Sequence, residues 1–147
     1  MLFRSTVAGA YNYTFPAASD TLVNLGSSQT LTSKTLTNPS INNYTEGVVA
    51  IGNSGTTQTL SLTSGTVQTI TMTGNCTFTM PTAVAGKSFI FILNTGNAAY
   101  TGTFTSVKWP SNTAPTITAG SGTTKWDILS FFSDGTNWYG NYSQAYQ

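Results

Sequence analysis

Hydrophobic and polar residues alternate over much of residues 57–147, and no stretch of the chain repeats them at helical spacing. Within residues 70–80 the even positions are Ile, Met, Gly, Cys, Phe and Met, and the odd positions are Thr or Asn. A period of two is typical of a β-strand with one buried and one solvent-facing side. The pattern predicts a pair of strands here, with Gly74-Asn75 as either a tight turn or a bulge.

Residues 89–93 break the alternation, because Phe, Ile, Phe, Ile and Leu follow one another without a polar residue. Such a run predicts a strand covered on both faces, at the centre of the core. At the end of the chain, two alternating segments flank Asp134-Gly135, which predicts a hairpin. About seven short strands punctuated by Gly, Pro and Asn predict an all-β fold, an antiparallel β-sandwich or jelly-roll-like knob.

The first 45 residues have a different pattern, with apolar residues spaced mostly five or six positions apart from Leu22 onward. A segment this poor in apolar surface cannot offset the backbone entropy of folding, about 1 to 2 kcal/mol per ordered residue. Three copies of the chain could instead place Leu31, Leu36 and Ile41 on a shared axis and leave Thr outside. We therefore expect an extended N-terminal attachment and trimerisation arm at residues 1–45, a Gly-rich linker at 46–56 and the knob at 57–147.

Two stretches resemble a known family. The sequence "DTLV" at residues 20–23, followed by "TLTSKTLTNPSI" at 30–41, resembles a repeat of tailed-bacteriophage fibre and other virion proteins. In that family "DTLV" precedes "TLTNKTLTxPxI", so Ser33 stands where Asn is usual, and the element tends to recur in tandem, whereas here it occurs once. Residues 107–142 resemble the terminal β-domain of many such fibres. The two stretches cover about two fifths of the chain.

The resemblance implies a homotrimeric, non-enzymatic structural protein of the virion, with an intertwined arm that leads to a β-knob. Its partners would be its own copies and, through the arm, other virion proteins of the capsid or tail. A short tail fibre and a capsid-decoration subunit both fit this description. The alternative function is a receptor-binding tail-fibre tip that recognises a host surface glycan.

Charged residues make up only 6% of the chain, against about 25% in an average globular protein. A surface that repels its neighbours so weakly suits a subunit of a large assembly better than a free enzyme. The formal net charge is +1 and the five basic residues form no stripe along the sequence, so we expect no nucleic-acid partner. No apolar run is long enough for a membrane span or a signal peptide, so we expect no membrane insertion.

The side chains offer little chemistry. The chain has no His, which removes the usual nucleophilic triads and the commonest transition-metal ligand, so we expect no catalytic residue, metal or cofactor. Cys76 is the single cysteine, and its place in the apolar register predicts a buried, unreactive thiol. Asp127 and Asp134 are the only candidate carboxylate pair for a glycosidase, and a hairpin would hold them apart.

The aromatic residues near the C-terminus leave two interpretations open. Trp138 and Tyr139 could stack on sugar rings if they stand exposed on the knob. Alternatively, Trp109, Trp126 and Trp138 fill the core, as large aromatic side chains commonly do.

Overall fold

The computed structural model describes residues 28, 30–96 and 98–147. The chain divides into two compact units, Met1–Ile41 and Asn42–Gln147. In the first unit, the described residues 30–41 contain no helix or strand. The expectations for "DTLV" and Leu22 fall outside the described residues. In the second unit the described residues form β-strands and one short 3-10 turn, Pro110–Asn112, so the prediction of an all-β fold is confirmed.

The strands of the second unit belong to two sheets. In chain order they are β1 (Val48–Asn53), β2 (Thr57–Thr59), β3 (Val67–Thr71), β4 (Cys76–Thr79), β5 (Ser88–Asn94), β6 (Gly102–Phe104), β7 (Val107–Lys108), β8 (Trp126–Ser133) and β9 (Trp138–Tyr146). The larger sheet has the order β1-β3-β5-β8-β9-β7, and the smaller has the order β2-β4-β6. From β1 to β7, successive strands therefore alternate between the larger and the smaller sheet.

This alternation winds the chain through three turns of parallel strands. Val48 of β1 pairs with Val67 of β3, which pairs with Ile90 of β5 on the next turn. The smaller sheet is parallel throughout, and β7 also runs parallel to β9. Among the described strands, the antiparallel pairs are β5 with β8 and β8 with β9. Most strand pairs are therefore parallel, and the predicted antiparallel sandwich or jelly roll is wrong in these strand directions. The sequence pattern could not show this, because side chains alternate with a period of two in parallel and antiparallel sheets alike.

The chain passes from the larger to the smaller sheet at corners of similar sequence. A Ser-Gly or Thr-Gly pair follows each of β1, β3 and β5: Ser54-Gly55, Thr73-Gly74 and Thr95-Gly96. The corners bond to one another, because the Thr73 amide donates to Ser54 Oγ over 3.2 Å. The Thr101 amide of the third turn likewise donates to Asn75 Oδ1 over 2.9 Å. This short repeat is the sequence signal for the winding, and the alternation of apolar and polar residues does not reveal it.

The alternation predicted over residues 70–80 is confirmed, but the strand pair is wrong. Ile70, Met72, Cys76, Phe78 and Met80 are all buried. However, β3 and β4 lie in different sheets and do not pair with each other. Gly74-Asn75 is accordingly a corner between sheets, and neither a tight hairpin turn nor a bulge.

The core forms where aromatic side chains of the two sheets meet. Phe78 of the smaller sheet packs edge-on against Phe91 of the larger sheet, with ring centroids 5.3 Å apart. Phe104 and Phe131 make a second contact between the sheets, at 5.7 Å. Strand β5 contributes Phe91 at the centre of this cluster, but Ile90 on its other face is 42% exposed. The prediction that β5 is covered on both faces is therefore wrong.

The expected linker at residues 46–56 is also corrected. It contains β1, which pairs along its length with β3 and forms one edge of the larger sheet. Val49 and Ile51 of this strand are partly buried, and Ile51 packs against the core. Gly52 and Gly55 mark a bulge and a corner, and the composition of residues 46–56 does not distinguish these features from a flexible linker.

Strand β9 can lie close to the 3-10 turn only because residue 140 is a glycine. A Cβ atom at Gly140 would lie 2.5 Å from Cζ3 of Trp109. The Trp109 ring is held between Phe104 and Phe131, at centroid distances of 5.7 and 5.8 Å. It therefore has little freedom to move away from β9.

We expect Gly140→Ala to lower the free energy of unfolding by about 1 to 3 kcal/mol, because overpacking displaces the Trp109 ring. Urea denaturation followed by tryptophan fluorescence measures this loss. Gly47→Ala is the matched control, since nothing lies within 4 Å of its added methyl group. Equal stability of the two variants would contradict the packing described for Trp109.

Candidate functional site

The described part of the arm repeats its conformation every five residues. Leu31, Leu36 and Ile41 are 50%, 58% and 59% exposed. Two residues after each of them the backbone turns left-handed, with φ of 53° at Ser33, 49° at Asn38 and 55° at Asn43. Positive φ is uncommon for residues other than Gly, and Asn is among those that tolerate it best. The repeat thus combines an exposed apolar side chain with a turn of fixed hand.

The turn between β8 and β9 is organised by one carboxylate. Asp134 accepts hydrogen bonds from the amides of Asn137 and Thr136 at 2.7 and 2.8 Å, and from the Tyr139 hydroxyl at 2.9 Å. Gly135 has a φ of 99°, which suits glycine. The predicted hairpin with Asp134-Gly135 at its turn is therefore confirmed.

The same contacts shift the pKa values of both side chains. The pKa of Asp134 falls from 3.8 to about 2, first because of the Asn137 amide, then the Thr136 amide and the Tyr139 hydroxyl. The pKa of Tyr139 rises, because its hydroxyl donates to a carboxylate whose negative charge also opposes ionisation. At neutral pH the pair is thus a carboxylate with a neutral phenol, and this hydrogen bond helps to hold the turn.

The two candidate glycan contacts have different surroundings. Trp138 is only 2% exposed, and its indole N–H donates to the carbonyl of Pro81 over 2.8 Å. A ring buried in this way cannot stack on a sugar, so the proposed contact at Trp138 is wrong. Tyr139, by contrast, is exposed. The core interpretation holds for Trp138 and for the partly buried Trp109, whereas Trp126 lies at the surface.

Asp127 has a structural role. Its carboxylate is fully buried, where it accepts hydrogen bonds from the amides of Thr118 and Ala145 at 2.7 and 3.0 Å, and from Gln144 Nε2 at 3.0 Å. Asp134 follows seven residues later, directly after the end of β8, about 23 Å away at ~3.3 Å per residue. A glycosidase pair needs carboxylates about 5 to 10 Å apart. These two carboxylates therefore cannot act as such a pair.

Cys76 is buried, and its Sγ lies 3.7 Å from the carbonyl oxygen of Ser54. Burial raises the pKa of the thiol, which keeps it protonated and poorly nucleophilic. Among the described residues, no three His, Cys, Asp or Glu side chains come together as a metal site. No helix in that part of the chain is long and apolar enough to cross a membrane.

Open depressions lie on the outer side of the larger sheet, as far as the described residues show. One, of about 470 Å³, lies beside Ile90 and Ser130 and includes Glu46 and Lys87 in its wall. Glu46 Oε2 accepts a hydrogen bond from the Thr66 hydroxyl there. Another, of about 130 Å³, lies beside Trp126.

Comparison with known proteins adds no relative, since no protein-family model, curated protein or solved structure matches the chain.

We expect the stability contributed by the Asp134 carboxylate to depend on pH. Its folded-state pKa lies below the ordinary value, so the contribution is complete above about pH 4 and is lost as the pH falls through about 2. The difference in unfolding free energy between the wild type and Asp134→Asn should shrink over this range. Denaturant titrations at several pH values measure it, and a difference that does not change with pH would contradict the role given to Asp134.

Proposed function

We propose that this chain is a non-enzymatic structural protein of a tailed-phage virion, a homotrimeric short fibre or capsid-decoration subunit anchored by its N-terminal arm. In this proposal the arms of three chains intertwine, and the β unit forms a knob of sandwich type. The five-residue repeat of the arm is the observation that carries it. The likeness of "TLTSKTLTNPSI" to phage fibre sequences connects that repeat with virions.

The repeat supports association because it is regular and leaves apolar surface uncovered. A side chain such as Leu36, more than half exposed, gains about 25 cal/mol for each Å² that a partner removes from water. Three such residues at equal intervals present equivalent contacts to a symmetric neighbour. The left-handed residues two positions after each of them recur at the same five-residue interval.

The low charge of the chain supports the same proposal. Chains with few like charges can pack around one axis without strong electrostatic repulsion. Lys34 is the only charged residue in positions 30–45 of the arm, and Glu46 follows directly after these positions. Three arms therefore bring together few charges of one sign.

We expect the full-length protein to have the mass of three chains in light scattering, and Leu36→Asp to be largely monomeric. The aspartate would place three like charges at one level of the assembly. Thr37→Asp is the matched control, because it adds the same charge at the neighbouring exposed position. A monomeric wild type, or a Leu36→Asp variant that remains trimeric, would contradict the proposal for the arm. Labelled antibody on virions then distinguishes a fibre from a head decoration.

The alternative function, recognition of a host glycan by a fibre tip, now depends on Tyr139. This ring pairs across the strands with Phe132, and both side chains are exposed on the larger sheet. Exposed aromatic rings beside polar groups are a common surface for sugar stacking.

If the alternative is correct, Tyr139→Ala should abolish binding on a glycan array while Tyr139→Phe, which keeps the ring, retains most of it. Circular dichroism should show both variants folded. No binding by the wild type to glycans of bacterial envelopes would count against this function.

A further inference from the structure

The two sheets of the β unit have chemically different outer surfaces. The smaller sheet presents only threonines at the exposed positions of its three strands: Thr57, Thr59, Thr77, Thr79 and Thr103. A threonine surface is well solvated, because each side chain carries a hydroxyl group. This sheet shows what a solvent-facing sheet looks like in this chain, and it provides an internal reference for the other sheet.

The larger sheet presents mainly apolar side chains on its outer face, which we call the outer apolar face. Register and burial alternation assign it the following apolar residues: Val48, Ala50, Val67, Ile90, Ile92, Trp126, Ile128, Phe132, Tyr139 and Tyr146. The polar residues between them are Ser, Thr and Asn. None of the outward positions of β1, β3, β5, β8 and β9 carries Asp, Glu, Lys or Arg.

The outer apolar face is large for a surface that stays in water. Its four partly exposed aromatic rings alone offer about 350 Å², taking ~200 Å² as the full area of such a ring. With Ile90, Val48 and their half-buried neighbours, the apolar area reaches on the order of 500 Å². That is near the upper end for a monomeric protein, where such patches are often functional, and more than half of the ~800 Å² that each partner buries in a standard interface.

The charges around this face restrict what can cover it. Glu46 and Lys87 lie beside the depression next to Ile90. Lys108 is in register with Tyr139, whose hydroxyl bonds to Asp134. The rim thus carries two acidic and two basic side chains around a neutral centre. An ordinary protein surface, about a quarter charged, would bury charges against this centre without partners.

We propose that the outer apolar face binds a second copy of this chain. Around a threefold axis this face of each chain would meet both neighbouring copies, and a neutral apolar face with a balanced rim brings no excess of one charge together there. The chain also has few charges that the contact would have to bury. The inference rests on the proposed function, since it names the surface of the β unit that takes part in the homotrimer. It adds a contact between β units to the association of the arms.

The first test compares the masses of three full-length variants by sedimentation velocity over a range of concentrations. Phe132→Asp places a carboxylate on the outer apolar face and should weaken self-association at least about 100-fold, the effect of a few kcal/mol from an unpaired buried charge. Thr79→Asp places the same charge on the central strand of the threonine surface and should leave self-association unchanged. Leu36→Asp reports on the arm alone.

The outcomes separate the inference from the proposed function. If Phe132→Asp stays trimeric while Leu36→Asp dissociates, the inference is overturned and the proposed function stands. If the wild type is monomeric, both fall. If Phe132→Asp and Thr79→Asp dissociate equally, a general effect of charge explains the result and the inference is overturned.

A second test does not depend on a charge substitution. Cys76 is the single cysteine and is buried, so Ser130→Cys adds one accessible thiol to the middle of the outer apolar face. Oxidation of this variant at low concentration should yield disulfide-linked dimers, whereas Thr79→Cys should not. Equal crosslinking of the two variants, or none in either, would overturn the inference. A Ser130→Cys thiol protected from alkylation in a monomer would show that the chain covers its own face, and would also overturn it.

Discussion

The parallel pairing between successive turns of the chain is the constraint on which the rest of the β unit depends. Each turn must bring a strand of the larger sheet beside its equivalent in the turn before, so the strands end in register, with Asn53 beside Thr71 and Thr71 beside Asn94. The hydrogen bond from the Thr73 amide to Ser54 Oγ directly joins the corners that follow β1 and β3. Because the turns are joined by these bonds as well as by the strands, the aromatic rings of the two sheets are held in contact.

The winding also separates the two surfaces of the unit. A strand in either sheet points alternate side chains inward, and the inward residues of both sheets form one core around Phe78 and Phe91. The outward residues do not have to pack in this core, and the two sheets differ in the side chains that they present outward. One presents threonines, while the other presents Ile90, Trp126 and Phe132. The difference cannot result from packing inside the unit, so we attribute it to contacts outside it.

The described part of the arm differs from the β unit because its apolar side chains are not packed in a core. The β unit has a buried core of its own, whereas Leu31, Leu36 and Ile41 are at least half exposed. Regular left-handed residues at Ser33, Asn38 and Asn43 keep the spacing of these side chains constant without any sheet pairing of their own. The described part of the arm therefore has no sheet that covers its apolar side chains, and association in the proposed trimer is what would bury them.

The sequence by itself determined the all-β class, the alternation over residues 70–80 and the hairpin at Asp134-Gly135. These features depend on neighbours within a few residues, which a period-two pattern and turn chemistry express directly. Only the tertiary structure decided that β3 and β4 belong to different sheets, and that Trp138 is buried while Trp126 is exposed. The reason is that alternation shows which side chains of a strand share a face, but it does not show which of the two faces is buried. Which face is covered depends on strands about 20 residues away, and their pairing is set by the packing of rings such as Phe78 on Phe91.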